Sequence, residues 1–196
     1  ISWDPQNYVN IWVIKEMSPG SSAAAYANYP GMGDPDGIVC LHDYFGSGVG
    51  TASGGNWTRH TMPHEMGHFF NLAHPWGSTN EPGVQDNCGT DDNVEATPNT
   101  IGSSSTCNVN QETCGSLDNV QNIMDYSTCA KMFTQGQKER AHAAISLSPF
   151  RQNLWQLENL ALTGVDSDHF FSNDTYNTCA PIPDFNTSSN VGCQGN

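Results

Sequence analysis

The chain has 196 residues with Lys+Arg 6 against Asp+Glu 20, a net charge of −14, which excludes the basic surface that nucleic acid or anionic lipid requires. No apolar run approaches the ~20 residues of a membrane-spanning helix, so a membrane span is ruled out. Aromatic residues at 10%, with Trp 5 among them, exclude a disordered acidic segment and leave a loop-rich globular protein with a core to fill.

Taken in chain order, Tyr8–Ile14 alternates β-branched and aromatic residues and reads as a strand. Residues 22–28 carry an Ala run that fits a short helix or a strand equally. Pro30 to Gly37 is a loop by its turn chemistry. Ile38–Phe45 reads as a second strand, followed by a Gly-rich loop from Gly46 to Gly55. Over residues 58–72 the period becomes helical, with Met62, Met66, Phe69 and Phe70 on one face. From Pro75 to Asn122 periodicity nearly vanishes. Gln135–Leu147 and Phe150–Leu160 read as helices, the first entered through Thr134 as N-cap. After Thr163 the composition turns polar to the end.

The seven cysteines point to an oxidising compartment. Four of them, Cys88, Cys107, Cys114 and Cys129, fall in the aperiodic stretch. No C-x-x-C pair is present, so disulfides are expected there rather than a Cys-ligated zinc. Spacing does not choose among the three possible pairings. The chain opens at Ile1-Ser2-Trp3 without an initiator Met or a signal-peptide pattern, and a processed form of a longer precursor is expected.

The chemistry concentrates in His64-Glu65-Met66-Gly67-His68-Phe69-Phe70-Asn71-Leu72-Ala73-His74. Two histidines four apart on a helix project from one face and can share a metal ion. Glu65 stands beside them, placed to take a proton from a metal-bound water. If the helix continued, His74 would lie ~9 Å beyond His68 and could not join them. The helix must therefore stop and the chain turn back, through a residue of positive φ near position 71. Asn71 is the residue after Gly that best tolerates it. His42, His60, His142 and His169 lack such spacing and are assigned surface or core roles.

This pattern resembles the long signature of the metzincin zinc proteases, a zinc helix followed by a Met-containing turn, here Asn122-Ile123-Met124-Asp125-Tyr126-Ser127. It is most similar to the pappalysin family, in particular its ulilysin-like bacterial members. The flanks Asn10-Ile11-Trp12-Val13 and Phe133-Thr134-Gln135-Gly136-Gln137 agree with that family too. The resemblance implies an α+β catalytic domain over 1–165. Its upper lobe, about 1–74, would hold a twisted mixed sheet and the zinc helix. The lower lobe, about 75–165, would be irregular and carry the Met-turn and a C-terminal helix. A substrate strand would pair with an exposed sheet edge.

The same resemblance implies Cys88–Cys114 and Cys107–Cys129 disulfides. Cys40 reads as a buried free thiol, and Cys179 and Cys193 are left to pair in the tail. Residues 166–196 form a C-terminal extension similar to the start of a polycystic-kidney-disease-type β-sandwich module, cut short. Similarity to the family's calcium loop assigns Asp92, the Val94 carbonyl and Thr97 as calcium ligands, in a loop whose oxygen chemistry suits that ion.

The implied function is a secreted zinc endopeptidase, bacterial and monomeric, acting on protein or peptide substrates. His64, His68 and His74 would hold the zinc and Glu65 would activate a zinc-bound water. Tyr126 would hydrogen-bond the oxyanion, and Met124 would form an apolar floor. In the ulilysin-like members an acid ahead of the second Met-turn cysteine reads Arg or Lys after the scissile bond. Thr128 stands there instead, so a relaxed preference is expected. The competing class is a catalytically silent zinc-holding adhesion or binding module. Against it stands Glu65, which a purely structural site does not need.

Overall fold

Asn10–Ile14 (β1), Ala25–Ala27 (β2) and Gly37–Leu41 (β3) form a mixed sheet in the order β1-β3-β2. The structure, a computed structural model, describes residues 2–33 and 35–165. β1 runs parallel to β3, with Ile11 opposite Ile38 and Val13 opposite Cys40, while β2 runs antiparallel to β3 with Tyr26 opposite Val39. The Ala run thus contributes a strand. Ile38 and Cys40 are fully buried on the core face of the central strand. Cys40 is a free thiol, pushed up to about 11 by burial and by the nearby Glu65 carboxylate.

The second strand is shorter than expected. It ends at Leu41, and His42–Tyr44 form a single 3-10 turn. The helix Asn56–Phe69 (α1) lies against β2 and β3. It stops in a Schellman turn: Leu72 N–H donates to Gly67 O and Asn71 N–H to His68 O, with Asn71 at φ 69. The positive φ expected at this position supplies the reversal.

From Pro75 to Asn122 the chain has little regular structure, and polar contacts supplement the few buried apolar residues Trp76, Val94 and Val120. Cys88–Cys114 and Cys107–Cys129 are the disulfides, in the pairing the resemblance implied. Between them Glu112–Thr113 (β4) and Ser116–Leu117 (β5) make a hairpin. Its two turn residues, Cys114 and Gly115, both have positive φ, as a type I′ turn requires. The buried Asp118 carboxylate gathers Thr100 Oγ1, Thr113 N and Oγ1, and Gln111 Nε2.

Gln135–Leu147 (α2) begins in a capping box in which Thr134 and Gln137 satisfy each other's backbone N–H. Gln137 is fully buried and its Oε1 also accepts from Asn122 Nδ2, which ties α2 to the Met-turn. The single helix expected over Phe150–Leu160 is broken. Gln152–Trp155 form a 3-10 turn and Leu157–Leu162 a separate helix (α3). The break falls at Gln156, whose backbone is extended at φ −72 and ψ 141, while the Arg151 side chain ahead of the turn points inward onto Asp36, Asn28 O and Phe69 O.

The architecture is α+β in two lobes, sheet and α1 in one, the disulfide-braced segment and α2 in the other. Among the described residues no helix is long and apolar enough to cross a membrane. Cys179, Cys193, His169 and the tail's β-sandwich resemblance lie outside the described residues.

Candidate active site

α1 presents His64 and His68 one turn apart, and the Schellman turn brings His74 back to them. His74 Nε2 lies 3.3 Å from His64 Nε2 and 3.2 Å from His68 Nε2. Each ring is held through its other nitrogen. His64 Nδ1 is 2.8 Å from Ile123 O, His68 Nδ1 2.7 Å from Leu72 O, and His74 Nδ1 2.9 Å from Thr79 O. A carbonyl only accepts, so each Nδ1 carries the proton and each Nε2 is a bare lone pair. Three lone pairs facing one another are repulsive, but tetrahedral ligands ~2.0–2.1 Å from one ion sit ~3.3–3.4 Å apart, so a shared metal suits them.

Burial keeps the rings neutral, as ligation needs. It lowers His64 to about 3 and His74 to about 2, with the neighbouring imidazoles adding to the effect, and it lowers His68 as well. Among the described residues this is the one grouping of three or more His, Cys, Asp or Glu ligand atoms all within 4.8 Å of one another.

Glu65 is 7% exposed, and its Oε2 is buried without a hydrogen-bond partner. Burial raises its carboxyl to about 7. Tyr126 packs its ring against His74 at 4.9 Å, His64 at 5.3 Å and Trp57 at 5.9 Å between centroids. Burial, then the Glu65 and Tyr29 charges, push its phenol up to about 12, so it stays a donor at neutral pH. Met124 is fully buried with its thioether at Gly67 of α1.

The Asp92 loop meets the start of α2. Asp92 Oδ1 accepts from Val94 N at 2.9 Å, Asp92 Oδ2 is buried without a partner, and Thr97 Oγ1 lies 2.9 Å from Thr134 Oγ1. A cavity of about 520 Å³ opens here, lined in part by Asp91, Asp92, Asn93, Asn99 and Arg140. Thr128 is half-buried beside the Cys107–Cys129 disulfide, its N–H donating to Thr106 O.

Two site residues escape sequence reasoning. Trp76 stacks on His74 at 4.6 Å and 10°, and its indole N–H donates to the same Thr79 O. Tyr29 places its hydroxyl 2.8 Å from His68 Nδ1. Trp76 is signalled only by being two residues beyond His74. No local pattern marks Tyr29, which reaches His68 from the segment just after β2.

The chain matches the family model of peptidase M43, described as pregnancy-associated plasma protein-A, over residues 1–146. An extracellular metalloprotease of the fungus Podospora anserina is 30% identical over 155 residues, covering 74% of this chain and 48% of the relative. Mature mirolysin of Tannerella forsythia, solved in complex with a cleaved peptide, superposes with a TM-score of 0.66 at 28% identity, over 83% of this chain and 61% of that one. Promirolysin, its precursor form, gives 0.64 at 26% identity, over 78% and 51%. The chain spans about half the length of the curated relatives it matches. With its three converging imidazoles, its Met-turn and its disulfide-braced lobe, the chain belongs to the peptidase M43 family, the pappalysins.

Proposed function

We propose that the chain is the catalytic domain of a secreted zinc endopeptidase that hydrolyses peptide bonds in protein substrates. The observation that carries this reading is the buried, partnerless Glu65 Oε2 next to three neutral imidazoles whose lone pairs converge. Zinc held by His64, His68 and His74 supplies a Lewis acid for the scissile carbonyl and the attacking water.

Glu65 accepts the proton of that water and passes it to the leaving amine nitrogen. Its burial raises its basicity toward the value such a shuttle needs. Tyr126 remains protonated and donates a hydrogen bond to the developing oxyanion. Met124 and Trp76 pack the ligands' surroundings and keep the rings from turning.

The substrate backbone lies along β2. Leu41 N donates to Ala24 O and Asn28 N to Gly37 O, so residues 24, 26 and 28 face β3. The N–H and C=O groups of Ala25 and Ala27 point to the open edge, where an extended peptide adds as a further strand.

The Asp92 loop takes calcium through Asp92, the Val94 carbonyl and Thr97, supported by the unpaired Asp92 Oδ2. Extracellular location is supported by the disulfides and by relatives named extracellular metalloproteases, and synthesis as a precursor by promirolysin. The domain acts as a monomer. A silent zinc-holding module is not favoured, because burying a partnerless carboxyl is costly unless it serves the reaction.

Glu65→Ala is expected to abolish casein cleavage while the protein retains about one zinc per chain, three imidazoles being a sufficient ligand set. Undiminished cleavage by that variant overturns the assignment.

A further inference from the structure

We propose that Tyr29 is a positioning residue for the metal ligand His68, tying the edge strand β2 to the metal centre. The inference rests on the zinc reading above.

Of the three imidazoles, His68 alone has a side-chain hydroxyl as well as a carbonyl at its Nδ1. Leu72 O lies 2.7 Å from that nitrogen and the Tyr29 hydroxyl 2.8 Å. His64 and His74 face the single carbonyls of Ile123 and Thr79. The Tyr29 hydroxyl also lies 3.2 Å from Leu72 O. One arrangement uses every proton. His68 Nδ1–H is shared between Leu72 O and the phenol oxygen, and the phenol O–H donates to the second lone pair of Leu72 O. The three groups form a closed triangle that holds the Nδ1–H tautomer and blocks rotation of the imidazole about its Cβ–Cγ bond. The Tyr29 ring lies against the imidazole at 5.3 Å between centroids.

The anchor is itself immobilised. Asn28 donates its N–H to Gly37 O, and its carbonyl accepts from Arg151 Nη2 at 2.9 Å. Tyr29 O accepts from Met32 N at 3.2 Å. The backbone on both sides of Tyr29 is therefore fixed, and the hydroxyl reaches His68 from a rigid support two residues beyond the end of β2. Partners of this kind set ligand orientation and basicity, and their loss usually weakens metal binding.

Tyr29→Phe deletes only the hydroxyl and keeps the ring. Zinc affinity, read by competition with a chromophoric chelator, is expected to fall about 10-fold, the lower end of such effects because Leu72 O remains. The ¹⁵N and ¹H signals of the His68 Nδ1–H should shift in the zinc-loaded variant, while those of His64 and His74 stay in place. Thermal unfolding of the variant should stay within about 2–4 °C of the wild type. Tyr26→Phe, an exposed change on the same strand, should alter none of these. In the wild type alone, a magnetisation contact between His68 Nδ1–H and the Tyr29 hydroxyl proton is expected, and its absence counts against the triangle. A wild type that takes up no zinc overturns the zinc reading and this inference with it. A wild type that binds zinc, beside a Tyr29→Phe variant of equal affinity and unchanged His68 signals, overturns this inference alone.

Discussion

Met124 fills the space that a side chain at Gly67 would need. A Cβ built on Gly67 would clash with Met124 Sδ and stand 3.2 Å from its Cε. Gly67 precedes His68 and its carbonyl closes the Schellman turn, so Met124 supports α1 where the helix is smoothest. Met124 is fully buried and has nowhere to retreat. Gly67→Ala gains about 1 kcal/mol of helix propensity but overpacks this contact at a cost of about 1–3 kcal/mol. The net effect is expected to be destabilisation, with weaker zinc binding as His68 is displaced. A urea midpoint at or above the wild type would contradict it.

Arg151 is the second junction, and it is 1% exposed. Its guanidinium lies 3.6 Å from the centroid of the Phe69 ring, pairs with Asp36 and bonds the carbonyls of Asn28 and Phe69. Arg151→Leu strands the Asp36 carboxylate and two carbonyls, and is expected to cost about 3–5 kcal/mol by chemical denaturation. Adding Asp36→Leu should restore part of that loss, because an apolar pair carries no unpaired charge. A double variant no more stable than the single one would argue that the ion pair is not the main contribution.

These two junctions mark where local sequence pattern stops being informative. The convergence of His64, His68 and His74 was legible because they are related by helix pitch and one reversal, and Asn71 is a residue that permits the reversal. The Thr134 N-cap was legible for the same reason, since its partner Gln137 N lies within one turn. Tyr29, Trp76 and Arg151 act through contacts across the fold, and no local period encodes those. The helix expected over Phe150–Leu160 breaks at Gln156, whose extended backbone no apolar period marks. Arg151, a charged residue that reads as solvent-facing in an amphipathic stretch, is instead drawn inward. Between Pro75 and Asn122 the buried apolar residues are few and irregularly spaced, and Asp118 and the disulfides brace the segment, so hydrophobic periodicity had little to report.

Asp125 gives a pH dependence of definite sign. Burial raises its carboxyl from 3.8 to about 7, although Ser103 N and Ser127 N donate to it. The folded state then binds the proton more tightly than the unfolded chain. The associated cost is absent below about pH 4, grows as pH rises, and is complete above about pH 7. Asp125→Asn keeps an oxygen for both N–H donors and cannot ionise. Relative to the wild type it is expected to gain stability between pH 4 and pH 7, on the order of 2–4 kcal/mol. Parallel urea midpoints for the two proteins across that range would remove the assignment.

The Asp92 loop predicts a response to calcium. Asp92 Oδ2 is buried without a partner beside the exposed Asp91, and a cation would relieve both desolvation and repulsion. At a free concentration near 100 times the dissociation constant, calcium should stabilise the fold by about 2.7 kcal/mol. Zinc content should not change. A melting curve identical in calcium and in a calcium-selective chelator would dismiss the site.

The final prediction concerns the side chain after the scissile bond. The resemblance to the ulilysin-like members implies that Thr128 occupies the position of their specificity acid, and we propose that it serves there with a hydroxyl and no charge. Asp125 is the nearest acid in sequence, but it is buried at 3% exposure, with its carboxylate 3.2 Å from Ser103 N and 2.9 Å from Ser127 N. Freeing it would break both bonds, so it does not substitute in the pocket. The net charge of −14 attracts basic peptides from a distance, yet that field is screened within ~8–10 Å and does not select one side chain. Without a partnered charge the pocket loses the discrimination of about 2 kcal/mol or more that a partly buried ion pair would provide. Fragments from a peptide library are therefore expected to begin with apolar as well as basic residues. Thr128→Asp should shift the balance toward Arg and Lys by about 10-fold or more, as 1.4 kcal/mol and upward implies. Wild-type cleavage confined to bonds preceding Arg and Lys would mean that another acid reaches the pocket.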